Sequence, residues 1–204
     1  MKILRSLLTI GAVATLAISA TGAYFSDNET SNDNTFAAGS LDLTVDGNNN
    51  TNTVKFNLSN LKPGDQPHGS YTLANVGTIN GYLDLENISV SSQENGCTGA
   101  ETAAGDTTCN NPGPGEGELQ NVLNLRLFVD YNGNGWIDAG DKVFYNGLLK
   151  DIPSHFELNE PLAAMSSVKI VALLDWWSTP SDNLAQTDSA VLNMTFELAQ
   201  TTGQ

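Results

Sequence analysis

The segment Asp130-Tyr-Asn-Gly-Asn-Gly-Trp-Ile-Asp-Ala-Gly-Asp141 has the spacing of a twelve-residue, EF-type calcium loop. Side-chain oxygens fall at loop positions 1, 3 and 5, in Asp130, Asn132 and Asn134. Gly135 stands at position 6, where the chain must turn sharply, and Trp136 offers a backbone carbonyl at position 7. Ile137 takes the apolar position 8, Asp138 position 9 and Asp141 position 12. Calcium binds many hard oxygens, and this spacing supplies them. The departure is Asp141, since position 12 is normally a bidentate Glu; the shorter side chain weakens the site or shifts it toward Mg²⁺. Strand-like patterns flank the loop, so the expectation is a calcium-clasped hairpin with a structural role. The competing reading is an Asn-Gly hairpin turn without metal.

Other reactive side chains are few. Cys97 and Cys109 have eleven residues between them, in a Gly-, Thr- and Pro-rich stretch over 91–118. They lack the Cys-x-x-Cys spacing of a zinc site, and no histidine lies near. Outside the cytoplasm they are expected to form a disulfide. His68 and His155 are the only histidines, and no His-Glu-x-x-His pattern exists. No carboxylate pair, serine elbow or phosphate-binding glycine loop stands out, so the chain is read as non-enzymatic.

The elements carrying these residues belong to a 204-residue chain with 8 Lys and Arg against 23 Asp and Glu, a net charge of -15. That balance excludes phosphate-neutralising nucleic-acid binders and disfavours anionic membranes. Hydrophobic residues make up 40% of the chain, enough for one folded domain. Abundant Asn, Thr, Ser and Gly suit strands and long loops better than helices.

Lys2 and Arg5 precede an uncharged run from Ser6 to Ala23 that ends in small residues, the pattern of a cleaved export signal over 1–23. The expected cut lies between Ala23 and Tyr24, by signal peptidase, with a site after Ala20 as alternative. Cleavage leaves 6 basic and 23 acidic residues and no stable membrane span. The product is expected in an extracellular fibre or at the cell surface.

Residues 24–39 are polar, with Tyr24, Phe25 and Phe36 as the large apolar side chains. Period-two alternation then begins. Strands are expected over 41–45, 54–58, 71–75, 82–90, 122–129, 142–149, 167–174 and 190–198. Leu158–Met165 is read as a short helical turn. Eight or nine short antiparallel strands joined by long loops predict an all-β, jelly-roll-like β-sandwich over 40–204. Trp176 and Trp177 end one strand, and at least one is expected to pack on the sheet edge.

Four stretches resemble the TasA/camelysin family of secreted bacterial matrix-fibre subunits, with similar archaeal bundling pilins. Ala23-Tyr-Phe-Ser-Asp-Asn-Glu-Thr30 and Asn34-Thr-Phe-Ala-Ala-Gly-Ser-Leu-Asp-Leu43 resemble the family's mature start. Asn57-Leu-Ser-Asn-Leu-Lys-Pro-Gly-Asp65 resembles its Leu-x-Pro-Gly-Asp turn, and Tyr71-Thr-Leu-Ala-Asn-Val-Gly77 the strand-Asn-x-Gly element after it. Pro180–Asp188, leading into Met194–Gln200, resembles the C-terminal strand and its approach. The disulfide-bearing stretch departs from these motifs and reads as a lineage insertion.

The resemblance implies a subunit that polymerises head to tail by donor-strand exchange. The segment over 24–39 of one subunit would fill a groove in the next, with Tyr24 and Phe25 as pocket anchors and Phe36 at the base. The expected partners are copies of the chain and fibre-bundling or anchoring proteins, with no nucleic acid. Two other readings stay open. One is a monomeric surface adhesin or carbohydrate-binding module, which needs Trp136, Trp176 and Trp177 as an exposed platform. The other is a camelysin-type metallopeptidase dependent on His68 or His155. Asn28, Asn49, Asn57, Asn87 and Asn193 head Asn-x-Ser/Thr sequons.

Overall fold

The computed structural model describes residues 38–49 and 61–203. The expected signal peptide, its Ala23–Tyr24 cut, the anchors Tyr24, Phe25 and Phe36, and the strand over 54–58 lie outside them. The chain divides into a unit of Met1–Ala38 and a compact unit of Gly39–Gln204. Every element below belongs to the second.

Among the described residues, eight antiparallel strands form two sheets: β1 (Leu43–Val45), β2 (His68–Asn75), β3 (Gly81–Gln93), β4 (Leu123–Asp130), β5 (Lys142–Leu148), β6 (Phe156–Leu162), β7 (Ser166–Trp176) and β8 (Ser189–Ala199). One sheet has the order β1-β2-β7-β4-β5 and the other β6-β3-β8. This is the all-β sandwich that the alternation predicts.

The order carries more than the fold class. An eight-stranded jelly roll winds into the sheets β2-β7-β4-β5 and β1-β8-β3-β6. The chain reproduces that winding except at β1, which is three residues long and pairs with β2. Among the described residues β8 therefore pairs with β3 alone.

The two sheets enclose Leu73 of β2, Leu83 and Leu85 of β3, Leu125 and Leu127 of β4, and Ile170 of β7, all fully buried. β4 and β7 are central strands buried on both faces, through the apolar runs Leu127–Val129 and Ile170–Leu174. Behind them Phe128, Val171 and Leu173 form a second apolar cluster on the outer face of the five-stranded sheet.

Two expectations need correction. Leu158–Met165 is not a helical turn. Phe156, Leu158, Glu160 and Leu162 alternate with period two in β6, which pairs with β3. Pro161 is tolerated because β6 is an edge strand. The second correction is helical: α1 (Gly99–Ala104) and α2 (Leu119–Val122) form although the composition suits strands and loops better than helices. A capping box holds α1: the Thr98 side chain accepts from the Glu101 N–H, and the Glu101 carboxylate accepts from the Thr98 N–H.

Two of the family-like motifs are chain anchors. In the Pro63-Gly64 turn, the Gly64 N–H donates to the Trp176 carbonyl at 2.7 Å and the Trp176 N–H to the Asp65 carbonyl at 3.1 Å. After β2, buried Asn75 donates to the Ile79 carbonyl at 2.8 Å and accepts from the Gly77 N–H at 3.0 Å. This turn grips the entry to β1, with Val76 N–H on the Asp42 carbonyl and Thr78 N–H on the Ser40 carbonyl, both at 2.8 Å.

Candidate functional site

The open side of the sandwich is a groove between the β1 edge of one sheet and the β8 edge of the other. Leu43, Val45, Leu192, Met194, Phe196 and Leu198 line it. All are half-buried against the core, whereas Leu83, Leu125 and Ile170 on inner strands are fully buried. The Phe196 ring reaches the Tyr71 ring with centroids 5.0 Å apart. The groove bordered by described residues has a volume of about 2090 Å³, beyond the roughly 300–1,000 Å³ of small-molecule sites. Its β8 wall is eleven residues long, so an extended peptide of similar length could lie along it.

The structure brings the residues of the calcium-type loop into one compact turn. Buried Asp130 accepts from the Gly133 N–H at 2.7 Å and the Gly135 N–H at 2.8 Å. Asn132 and Asn134 each accept a backbone N–H two residues on, from Asn134 and Trp136. Asp141 accepts from the Asp138 N–H at 3.0 Å and the Tyr131 N–H at 3.2 Å. Gly133 and Gly135 have φ of 78° and 82°, which favours glycine. The side-chain amides of Asn132 and Asn134 both point at Asp138 Oδ2. A cation in the loop would take over that oxygen, and both amides would have to turn their oxygens inward.

The loop is fastened to the sheet beneath it. Ile137 packs on Phe128, Val171 and Leu173. The Trp136 ring lies against the His68 ring at 4.8 Å between centroids, and Lys169 Nζ donates to the Gly133 carbonyl at 3.0 Å. At the loop root, the Tyr131 hydroxyl and Lys142 Nζ both reach Glu160 of the other sheet, at 2.9 and 3.1 Å.

Cys97 and Cys109 form a disulfide. Around it lies a group that the sequence does not announce. Ligand oxygens of Glu94, Asp106 and Glu118 lie within 4.8 Å of one another, and so do those of Glu94, Glu101 and Asp188. Ionised carboxylates at that separation repel by about 3 kcal/mol per pair at an effective dielectric near 20. Burial pushes the Glu118 carboxyl up to about 7, with Asp106, Asp188 and Glu94 adding repulsion. Burial also pushes Asp188 up to about 6, against the Glu118 N–H that it accepts and with Glu94 and Glu101 raising it further.

The remaining candidates do not converge. Trp176 is buried, and its indole N–H donates to Asp182 at 2.9 Å; Trp136 and Trp177 are exposed. The three tryptophans therefore form no common platform. His68 and His155 are exposed, and neither joins a group of three metal-ligating side chains among the described residues. Of the sequon asparagines, Asn49, Asn87 and Asn193 are exposed, and Asn28 and Asn57 lie outside the described residues. No described helix is long and apolar enough to cross a membrane.

No curated protein matches the chain. A family model described as camelysin metallo-endopeptidase matches residues 2–111, more than half of the chain. That match spans the segment over 24–39, the Pro63-Gly64 turn, the Asn75-x-Gly77 anchor and both cysteines, and the chain belongs to the camelysin family.

Proposed function

We propose that this protein is a secreted, non-enzymatic structural subunit that polymerises head to tail into extracellular fibres by donor-strand exchange. The observation that carries the reading is that, among the described residues, β8 pairs with β3 alone and borders an apolar groove larger than a small-molecule site. An unpaired edge accepts a peptide through backbone hydrogen bonds, with side chains seated in pockets. The segment over 24–39 has sixteen residues, enough to run the length of the eleven-residue β8 edge, and offers Tyr24, Phe25 and Phe36 as anchors. Its root is firm, since the Asn75–Thr78 turn grips Ser40 and Asp42. Such contacts are heterologous and generate an open filament. Within this reading the 130–141 loop takes a calcium ion through Asp130, Asn132, Asn134, the Trp136 carbonyl, Asp138 and Asp141, and the ion braces the outer face of the sheet.

Negative-stain electron microscopy tests the reading. Protein starting at Tyr24 should form filaments, and a folded version starting at Ser40 should stay as single particles. Folded single particles from both, at high concentration with calcium, would overturn it.

The family description supplies a second reading, a metal-dependent endopeptidase. It requires casein cleavage that chelator abolishes and that H68A or H155A reduces. Neither histidine joins a group of three metal-ligating side chains among the described residues, and no such cleavage is expected.

A further inference from the structure

We infer that Glu118 and Asp188 form a proton-held clasp that fixes the disulfide loop and α2 to the start of β8, closed in mildly acidic surroundings and loosened at alkaline pH. Glu118 stands directly before α2 and Asp188 directly before β8. Their carboxyls share a hydrogen bond, and Asp188 shares another with Glu94. The Glu118 N–H also donates to Asp188 Oδ2. Two ionised carboxylates offer acceptors only, so a hydrogen bond between them needs a proton on one. With both ionised, Glu118 Oε2 and Asp188 Oδ1 are shut off from solvent and accept no hydrogen bond. Buried acceptors are normally satisfied, and a shared proton supplies the missing donor.

The surroundings favour the proton. The titratable groups facing the pair are Glu94 after β3, Glu101 in α1 and Asp106 in the disulfide loop, all acidic. Each of these has a backbone donor of its own: the Gly96 N–H for Glu94, the Thr98 N–H for Glu101 and the Thr108 N–H for Asp106. The turns packed on α2 bring no cation to the group. Leu149–Asp151 carries Lys150 and Asp151, both exposed, and Asp182–Ala185 carries Asp182, held by Trp176 and Thr179. The ion pairs among the described residues are Lys62–Asp65, Arg126–Asp175 and Lys142–Glu160, all elsewhere. Burial and like charge therefore both oppose ionisation, which raises Glu118 to about 7 and Asp188 to about 6. Stability from a raised carboxyl is complete below its ordinary value, 4.5 for Glu118 and 3.8 for Asp188, and is lost as pH rises through the raised one. The last shared proton leaves near the upper end of that window. This inference does not rest on fibre assembly.

The test is a pair of pH titrations on disulfide-bonded protein in calcium-free buffer. Carbon-13 NMR of the side-chain carboxyls in wild type, assigned through the backbone, should show at least one of Glu118 and Asp188 titrating at about pH 6 or above. Melting temperatures supply the second readout. The amide of Glu118→Gln stands in for a carboxyl that keeps its proton. That variant should match wild type at pH 5 and melt roughly 4 °C or more above it at pH 8. Asp188→Asn should shift in the same direction. Should one variant fail to fold, the other and the wild-type NMR titration decide. Both carboxyls titrating below pH 6, or Tm differences that stay constant from pH 5 to pH 8, would overturn the inference.

Discussion

A β-carbon at Gly77 would stand 2.2 Å from the Ser40 carbonyl oxygen and 2.8 Å from the Asp42 nitrogen. The Asn-x-Gly motif after β2 is therefore a docking point for the entry to β1, where backbone meets backbone and no side chain fits. Gly77→Ala should force that contact apart and cost about 3 kcal/mol, lowering Tm by about 6–12 °C. Gly99→Ala is the control. Nothing lies within 4 Å of its β-carbon, and the residue opens α1. A thermal melt should show it neutral or slightly stabilised.

The calcium-type loop is anchored through Ile137 rather than through its polar residues alone. Ile137→Ala should cost about 1–2 kcal/mol, because the side chain is half-buried and the loss falls below that of a core position. Urea unfolding should show the loss. A larger drop in chelator than in calcium would mean that the ion and Ile137 brace the same loop.

The disulfide closes a loop with a sequence separation of 12 between Cys97 and Cys109. In the chain-entropy model that closure contributes about 3 kcal/mol. The C97S/C109S variant should melt about 6–12 °C lower. An unchanged melt would mean that the hydrogen bonds of the α1 capping box already hold the segment.

Asp182 gives a pH dependence of known sign. Burial raises its pKa, but hydrogen bonds from the Trp176 indole, the Thr179 N–H and hydroxyl, and the Ser178 hydroxyl outweigh burial and lower it below 3.8. A depressed carboxyl pKa stabilises the fold above the unfolded value, and that stability is lost as pH falls through the folded value. Melts of wild type and Asp182→Asn at falling pH should converge below pH 4, with wild type more stable at pH 6.

Much of this architecture was legible as period two. The strands expected over 71–75 and 190–198 lie wholly within β2 and β8, while those expected over 41–45 and 142–149 hold over Leu43–Val45 and Lys142–Leu148. β6 was not legible, because Pro161, Ala163 and Ala164 resemble the start of a helical turn, and pairing with β3 overrides them. α1 is too short to show a period, yet Thr98 and Glu101 carried its start signal. The 130–141 loop was readable because its oxygens are contiguous. The Glu94 group was not, because it spans Glu94 to Asp188 and only the pairing of β3 with β8 brings those ends together.

The short β1 has a consequence for assembly. Each subunit of the proposed fibre offers one groove and one donor segment, so the filament is polar and its two ends differ. A subunit lacking residues 24–39 can receive a neighbour's segment but cannot pass one on. Added in small amounts, it would act as a chain terminator, shortening fibres in proportion to its mole fraction and leaving their width unchanged.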